Sequence, residues 1–301
     1  MKSPIVIFSY NRPNHLSNLI DTLKKNKVSK KSKIFFFCDG PKNNYDKTQI
    51  KKIKSILDKK NLKIEYKNFH KKNIGLKNNI INGVSFVLSK YGRCIVLEDD
   101  LVLNHHSLKF MDVMLDKFRE NKAIGSVSAH SYIDGLKTKK KFDFYISKRH
   151  SSWCWGTWSR VWKNIDWDIK KLNSHFSDQS KLKKFSEGGN DLNLLLWGNY
   201  KKIINSWAIM FNYHCMHNSL KSIQPRFSMI RNDGRDASGT HEGIAFNFSK
   251  KNISFNPRLG SQKYILKKTE QNSFIDFFIK NSHRKSFKLS IKFFFQNFKI
   301  I

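Results

Sequence analysis

Acidic side chains are scarce in this chain: 23 Asp and Glu stand against 57 Lys and Arg in 301 residues, a formal net charge of +34. That balance attracts phosphate wherever it occurs, in nucleic acid, anionic lipid or a nucleotide sugar, and so does not choose among them. Arginine is rare as well, with 10 residues against 47 lysines, and asparagine is abundant, the pattern of codon bias in an AT-rich genome. Four cysteines, Cys38, Cys94, Cys154 and Cys215, lie far apart with no CxxC pair, which excludes a zinc knuckle and a disulfide framework and fits a reduced compartment. No apolar run approaches the roughly 18 residues of a membrane span. Met1 to Pro4 lead directly into Ile5-Val6-Ile7-Phe8 with no room for a leader, so a cytoplasmic protein is expected. Neither a GxGxxG nor a GxxxxGK[ST] phosphate loop occurs. With 39% hydrophobic and 14% aromatic residues the chain is neither disordered nor fibrous. Its length allows one large α/β domain or two domains.

What is present alternates. Ile5 to Ser9 reads as a buried strand, Asn11-Arg12-Pro13 breaks it, and Leu16, Leu19, Ile20 and Leu23 recur at helical spacing. Lys33 to Cys38 is a second strand, Ile50, Ile53, Ile56 and Leu57 mark a helix, and Ile64-Glu65-Tyr66 begins a third strand. Leu76, Ile80, Val84, Val87 and Leu88 share a helical face, and Tyr91-Gly92 turns into the strand Arg93 to Leu97. Apolar strands alternating with amphipathic helices imply a mostly parallel sheet with helices on both faces. Ligands of such sheets bind at the carboxyl ends of the strands, where the chain order reverses. Asn11, Arg12, Asp39, Gly40, Asn73, Gly75 and Glu98-Asp99-Asp100 all fall at such ends. After Asn104 the alternation stops and all seven tryptophans follow, so this half is expected to be a binding surface rather than more sheet.

Glu98-Asp99-Asp100 directly follows the strand Ile95-Val96-Leu97, so three carboxylates crowd one sheet edge. A cation relieves their repulsion. Oxygen-only ligands suit Mg²⁺ or Mn²⁺, completed by water and a substrate's phosphates. A solvated acidic turn is the alternative.

Pro4-Ile5-Val6-Ile7 with Tyr10-Asn11-Arg12-Pro13, Cys38-Asp39-Gly40, Asn73-Ile74-Gly75-Leu76 and Val96 to Leu101 together resemble the nucleotide-sugar half of GT-A glycosyltransferases. The Glu-Asp-Asp form is similar to the N-acetylglucosaminyltransferase type that starts hybrid N-glycans. Trp155-Gly156-Thr157-Trp158 with Arg160 and Trp162, Asn190-Asp191, Pro225 to Ser228 and Gly234 to His241 resemble bacterial glycosyltransferases that build surface polysaccharides. The resemblance covers roughly residues 3 to 245. It implies a GT-A, Rossmann-like α/β fold with a nucleotide-sugar half (1–103), an acceptor and catalytic-base half of the same domain (104–250) and a basic, aromatic C-terminal helical extension (251–301). It implies further that Asp39 contacts the nucleotide base beside the turn Tyr10-Asn11-Arg12. Asp100 ligates the metal, Asp99 holds the ribose or donor sugar, and Glu98 binds donor-sugar hydroxyls.

A metal bridging diphosphate oxygens stabilises the leaving group without proton transfer. Lys77 is either a second positive charge there or an exposed helix lysine. An inverting transfer needs a general base for the acceptor hydroxyl. Asp191 is the candidate, with Glu187 in reserve; the alternative for Asp191 is stabilisation of a helix N-terminus, for which Asn190 is a cap. His241 is a metal ligand or diphosphate contact, or merely solvated, and Arg235 pairs with phosphate. Trp153, Trp155 and Trp158 cannot share one helical stripe; one or two of them are expected to carry acceptor sugar and the rest to be core. Phe287, Ile291, Phe294, Phe298 and Ile301 form a helical stripe beside Lys285, Lys288, Lys292 and Lys299. Residues 274–301 are therefore expected either to lie on an anionic membrane or to pack on the protein's own core or a second subunit.

The expected function is inverting, metal-dependent transfer from a nucleotide sugar, a UDP-sugar, onto a bacterial surface glycan. A lipid-linked acceptor at the cytoplasmic face of the inner membrane is expected. A sugar-phosphate nucleotidyltransferase is a rival, although the phosphate loop it would normally carry is missing. A non-catalytic nucleic-acid-binding protein explains the charge but not three adjacent carboxylates, and no specific nucleic-acid partner is expected.

Overall fold

A computed structural model describes residues 1–134, 136, 142–234, 269–270 and 273–282. The first half follows the alternation: β1 (Ile5–Ser9), α1 (Pro13–Lys25), β2 (Ile34–Cys38), α2 (Asn44–Lys59), β3 (Tyr66–Phe69), α3 (Leu76–Tyr91) and β4 (Arg93–Glu98). Helix α1 takes Pro13 at its start and buries Leu16, Leu19, Ile20 and Leu23. Helix α3 ends at Gly92, whose left-handed φ of 72° closes the turn into β4. Every residue of β1 and β2 is buried, which requires cover on both faces of the sheet. On one face α3 presses so closely that a Cβ on Gly83 would stand 2.7 Å from the Phe8 ring.

After β4 comes β5 (Leu101–Leu103), and beyond Asn104 come α4 (Ser107–Lys117), β6 (Ile124–Ser128), β7 (Phe144–Ser147), β8 (Trp155–Trp158), α5 (Ser159–Trp162), α6 (Asn173–Phe176), α7 (Gln179–Ser186), α8 (Leu192–Tyr200), α9 (Trp207–His217), β9 (Lys221–Pro225), β10 (Ile230–Asn232), β11 (Thr269–Glu270) and α10 (Ser273–Ser282). Among the described residues nine strands form one sheet in the order β3-β2-β1-β4-β8-β6-β9-β7-β11. The second half is therefore more sheet, contrary to the expectation from its sequence. Its strands are polar-spotted, as in Ile-Gly-Ser-Val-Ser and Lys-Ser-Ile-Gln-Pro, and carry none of the β-branched runs that mark β1 and β4.

Strands β1 to β4 are parallel, while β8 runs antiparallel to both β4 and β6. It follows that β6 and its parallel neighbour β9 run in the same sense as β4. The carboxyl ends of β1, β2, β3, β4, β6 and β9 thus open on one edge. The chain order reverses between β1 and β4. The pair β5 and β10 forms a separate two-stranded ladder that brings Asn232 opposite Leu101. No helix among the described residues is long and apolar enough to cross a membrane.

The C-terminal helix α10 turns Ile275 and Ile279 into a cluster with Ile133, Phe142 and Tyr145. Ile275 and Ile279 thus pack on the protein's own core, while Phe277 on the same helix is exposed. The stripe from Phe287 to Ile301 and its lysines lie outside the described residues.

Candidate active site

The edge at the β1–β4 reversal gathers the chemistry. Register sets Phe8 opposite Glu98, so Ser9 to Arg12 leave β1 beside Asp99 and Asp100. Asp99 Oδ2 accepts from the Ser9 hydroxyl at 2.9 Å and from the Tyr10 N–H at 3.3 Å, while Oδ1 accepts from Arg12 Nη2 at 2.6 Å. The same Arg12 nitrogen reaches Asp100 Oδ2 at 3.1 Å. Among the described residues Asp100 Oδ1 accepts a long contact, from the Asn232 amide at 3.4 Å. The Asp233 N–H donates to the Asp100 carbonyl at 2.9 Å, tying the 230–234 segment over the acidic turn.

Electrostatics follow from this crowding. Burial, reinforced by Asp100 and Asp99 and partly offset by Arg12, pushes the half-buried Glu98 carboxyl up to about 8. A protonated carboxyl both donates and accepts, which suits sugar hydroxyls. Burial and Asp99 also raise Asp100, again against Arg12. Burial works against the charge on Arg12, but the two aspartates outweigh it and hold the guanidinium charged.

Asp39, expected to contact a nucleotide base, holds its own chain together at the end of β2. Its Oδ1 accepts from the Gly40 and Ile74 N–H groups at 2.8 and 2.9 Å, and its Oδ2 from the Asn73 amide and the Gly75 N–H, both at 3.0 Å. These four donors fill the carboxylate's acceptor sites, so Asp39 clamps the 73–75 turn and a base could reach it only by displacing one of them. The clamp is tight: a Cβ on Gly40 would stand 2.3 Å from the Lys72 carbonyl carbon. Gly75 then enters α3 at φ 81° with no side-chain cap, a conformation that glycine accepts without strain. Lys77, one position into α3, is half-buried and lowered by desolvation against the pull of Asp168.

Asp46 was missed in the sequence. It accepts from the Tyr10 hydroxyl, the Asn11 amide at 2.8 Å and the Lys42 N–H at 2.9 Å, so it shapes the turn that carries Arg12. The readable signal was Asn43-x-x-Asp46, since the Asn43 side chain caps α2 by accepting from the Asp46 N–H.

The expected base is in a different environment. Asp191 Oδ1 and Oδ2 accept from Arg149 Nη1 and Nη2 at 2.7 and 2.9 Å, with side chains 1% and 8% exposed. A base must be reached by the acceptor hydroxyl, and here both oxygens are turned to a guanidinium in the interior. The side chain makes no cap for α8, because it turns to Arg149 instead, and Asn190 bonds to α10 rather than capping. Gly189 is required by this contact, as a Cβ there would stand 2.2 Å from Arg149 Nη1. The reserve residue Glu187 is exposed and pairs with Lys148 at 3.0 Å.

The tryptophans divide. Trp155 and Trp158 are buried, Trp155 stacking on Trp207 at 4.8 Å and Trp158 donating to the Leu115 carbonyl, so neither offers a face to an acceptor. Trp153 remains half-buried, with the His130 ring 4.7 Å away. It lies beside the carboxyl end of β6, where the Ser128 hydroxyl donates to its carbonyl. Arg235 and His241 lie outside the described residues. All four cysteines are free and buried, and burial pushes the Cys38 thiol up to about 12.

No cluster of three or more His, Cys, Asp or Glu side chains among the described residues is placed to chelate a metal. The donor set fits a hard cation in a sparser mode: one carboxylate, Asp100, with the rest of the shell left to water and phosphate.

A doubly wound α/β sheet with carboxylates gathered where its chain order reverses is the GT-A arrangement. A family profile described as Glycosyl transferase family 2 matches residues 5–181, and the chain belongs to that family. No curated protein sequence matches. Among solved structures, residues 1–349 of TarS from S. aureus are similar at 12% identity and a TM-score of 0.37, over 58% of this chain and 50% of that one. The mannosyltransferase PcManGT from Pyrobaculum calidifontis, in complex with GDP-Man and Mn²⁺, is similar at 7% identity and 0.35, over 57% and 47%. The 4-diphosphocytidyl-2C-methyl-D-erythritol synthase from Anaerococcus prevotii DSM 20548 is similar at 10% and 0.36, over 76% and 89%. This chain therefore spans about half the length of the first two. Likeness at this level carries nothing about substrate.

Proposed function

We propose that this chain moves a sugar from a nucleotide diphosphate sugar, a UDP-sugar, to a growing bacterial surface glycan such as lipopolysaccharide, lipooligosaccharide or capsule, with inversion and with Mn²⁺ or Mg²⁺. The observation that carries the reading is the Arg12–Asp99–Asp100 constellation at the β1–β4 reversal. The diphosphate is placed over it. Asp100 is the residue that would hold the cation, which when bound would offset the charge that builds on the departing diphosphate. Arg12 supplies a fixed positive charge beside it. Glu98, as an acid, takes the donor-sugar hydroxyls, and Asp99 orients Arg12 and the turn at Tyr10. The Asp39 clamp holds the 73–75 turn against which the base lies.

The acceptor enters along the carboxyl ends of β6 and β9, with Trp153 as the aromatic surface for its sugar ring. The exposed Phe227 lies at the end of β9, on the same edge. On this reading the glycan is assembled at the anionic, inner-membrane surface, to which a net charge of +34 would be drawn as to any other phosphate-bearing partner. The test is incubation of the full chain with Mn²⁺ and a panel of nucleotide sugars, followed by release of nucleoside diphosphate. Release that needs one nucleotide sugar and stops with chelator supports the reading, whereas binding of nucleic acid with no release from any donor rejects it.

A further inference from the structure

The acidic turn already contains a cation. Arg12 Nη2 bridges Asp99 Oδ1 at 2.6 Å and Asp100 Oδ2 at 3.1 Å. Asp99 is otherwise spent on Ser9 and Tyr10. Asp100 is less so, for among the described residues its Oδ1 accepts a 3.4 Å amide contact from Asn232, with His15 adding a weaker positive influence than Arg12. The main chain of 232–234 lies against the pair: a Cβ on Gly234 would stand 2.2 Å from Asp100 Oδ2 and 2.9 Å from Arg12 Nη1. The Asp100 and Arg12 side chains are 13% and 18% exposed, so the pair is partly desolvated yet open to a ligand.

We propose that Arg12 is the resident counter-ion of Asp100 and imposes an order of binding, in which a divalent cation takes full hold of Asp100 only when the donor diphosphate draws Arg12 away. The inference rests on the nucleotide-sugar reading above. A dication and a guanidinium repel each other across one carboxylate oxygen, so the resident arginine weakens metal binding in the absence of nucleotide. A diphosphate presents oxygens in the geometry that the planar fork of arginine prefers, and so competes with the aspartates for it. With Arg12 on phosphate, the Asp100 carboxylate would be free to hold a cation that the donor's phosphates would also bind. Metal and nucleotide then bind each other's complex more tightly than either binds the free protein, and by linkage the enhancement is reciprocal.

The experiment is titration of the full-length protein with Mn²⁺, free Mn²⁺ being followed by its paramagnetic resonance signal. Wild type, Arg12→Ala and Arg12→Lys are compared without nucleotide and with saturating UDP or GDP. Without nucleotide, Arg12→Ala is expected to bind Mn²⁺ about tenfold more tightly than wild type, with Arg12→Lys between them, and the enhancement by nucleotide to shrink by a similar factor. A melting curve shows that each variant is folded, and Arg12→Lys serves if Arg12→Ala is not. Variants that bind Mn²⁺ no more tightly than wild type overturn the role of Arg12. Wild-type Mn²⁺ affinity indifferent to both UDP and GDP overturns the nucleotide-sugar reading instead, which tells the two failures apart.

Discussion

Asp191→Asn separates a catalytic from a structural role for the residue that the sequence marks as a base. The carboxylate makes two charged hydrogen bonds to Arg149 at 2.7 and 2.9 Å, and the Asp191 side chain is 1% exposed. Besides Asp191, Arg149 has the Tyr132 ring 5.3 Å from its guanidinium carbon and a long contact from Nη1 to the Gly188 carbonyl at 3.5 Å, neither of which neutralises its charge. Removing one member of such a pair strands the other charge in the interior, at a cost of about 3–5 kcal/mol. An unfolding entropy of about 2.1 cal/mol/K per residue amounts to roughly 0.6 kcal/mol/K for a chain of this size, so the midpoint should fall by about 5–8 °C. Calorimetry of the Asn variant measures this, with turnover and donor affinity read well below the transition. Arg149→Met combined with Asp191→Leu should recover most of the loss, since an apolar pair of similar volume leaves no stranded charge. A midpoint within about 1 °C of the parent, with turnover down ~10²-fold and donor affinity unchanged, would refute the structural reading, because that is the signature of a lost general base.

Asp100→Asn should abolish Mn²⁺-dependent donor binding while leaving the melting temperature unchanged or slightly raised, because a carboxylate repulsion is relieved; full parental activity in chelator contradicts the assigned role. Asp39→Asn turns one acceptor oxygen into a donor facing the Asn73 amide or the backbone N–H groups of the 73–75 turn. It should cost about 2–4 kcal/mol by denaturant unfolding, and an unchanged unfolding midpoint would mean that the clamp is not needed. Burial pushes His150 down to about 3, so the folded imidazole stays neutral where the unfolded one protonates. Below about pH 6.5 the unfolded state binds the extra proton, and stability falls by up to about 1.4 kcal/mol per pH unit toward pH 3. His150→Gln should flatten the melting slope between about pH 6.5 and 4, and parallel slopes would reject this. Ile279→Ala, which opens the contact of α10 with Ile133, Phe142 and Tyr145, should cost about 2–4 kcal/mol; a melting temperature equal to wild type would mean that α10 does not hold the core.

Half of the fold was readable because half of it follows a simple rule. β1, β2 and β4 are buried on both faces, so they must be continuously apolar, and the helices between them each carry one apolar stripe. The acidic turn was readable for the same reason, since a polar triplet at the end of a buried strand can face only the sheet edge. The strands of the second half are set by their neighbours instead. Gly156 in β8 is there because a Cβ would stand 2.7 Å from the Cys94 carbonyl oxygen. The buried hydroxyls of Ser126 and Ser222 on β6 and β9 lie 3.0 Å apart beside His150. Such residues carry no period, and nothing local distinguishes them from a loop.

Arginine held the signal that was overlooked. In a chain with 47 lysines, each of its 10 arginines resists the composition, and the seven that the structure describes are all engaged. Arg12 bridges Asp99 and Asp100, Arg149 forks onto Asp191, and Arg231 forks onto Asp233. Arg93 and Arg119 pair with Asp116 and Glu120. Arg160 donates to the carbonyls of Phe118, Arg119, Asn121 and Ile124, closing the end of α4, and Arg226 lies between the rings of Phe142 and Phe227. Lysine, a hydrated point charge on a flexible stem, cannot replace a planar fork at such places. These are places where geometry overrode a genome-wide bias, and Arg149 and Arg12 among them are the buried partner of Asp191 and the counter-ion of the acidic turn. The same reasoning warns that an aspartate expected to act as a base, in a chain where lysine serves nearly everywhere else, has its charge answered by an arginine that it cannot easily leave.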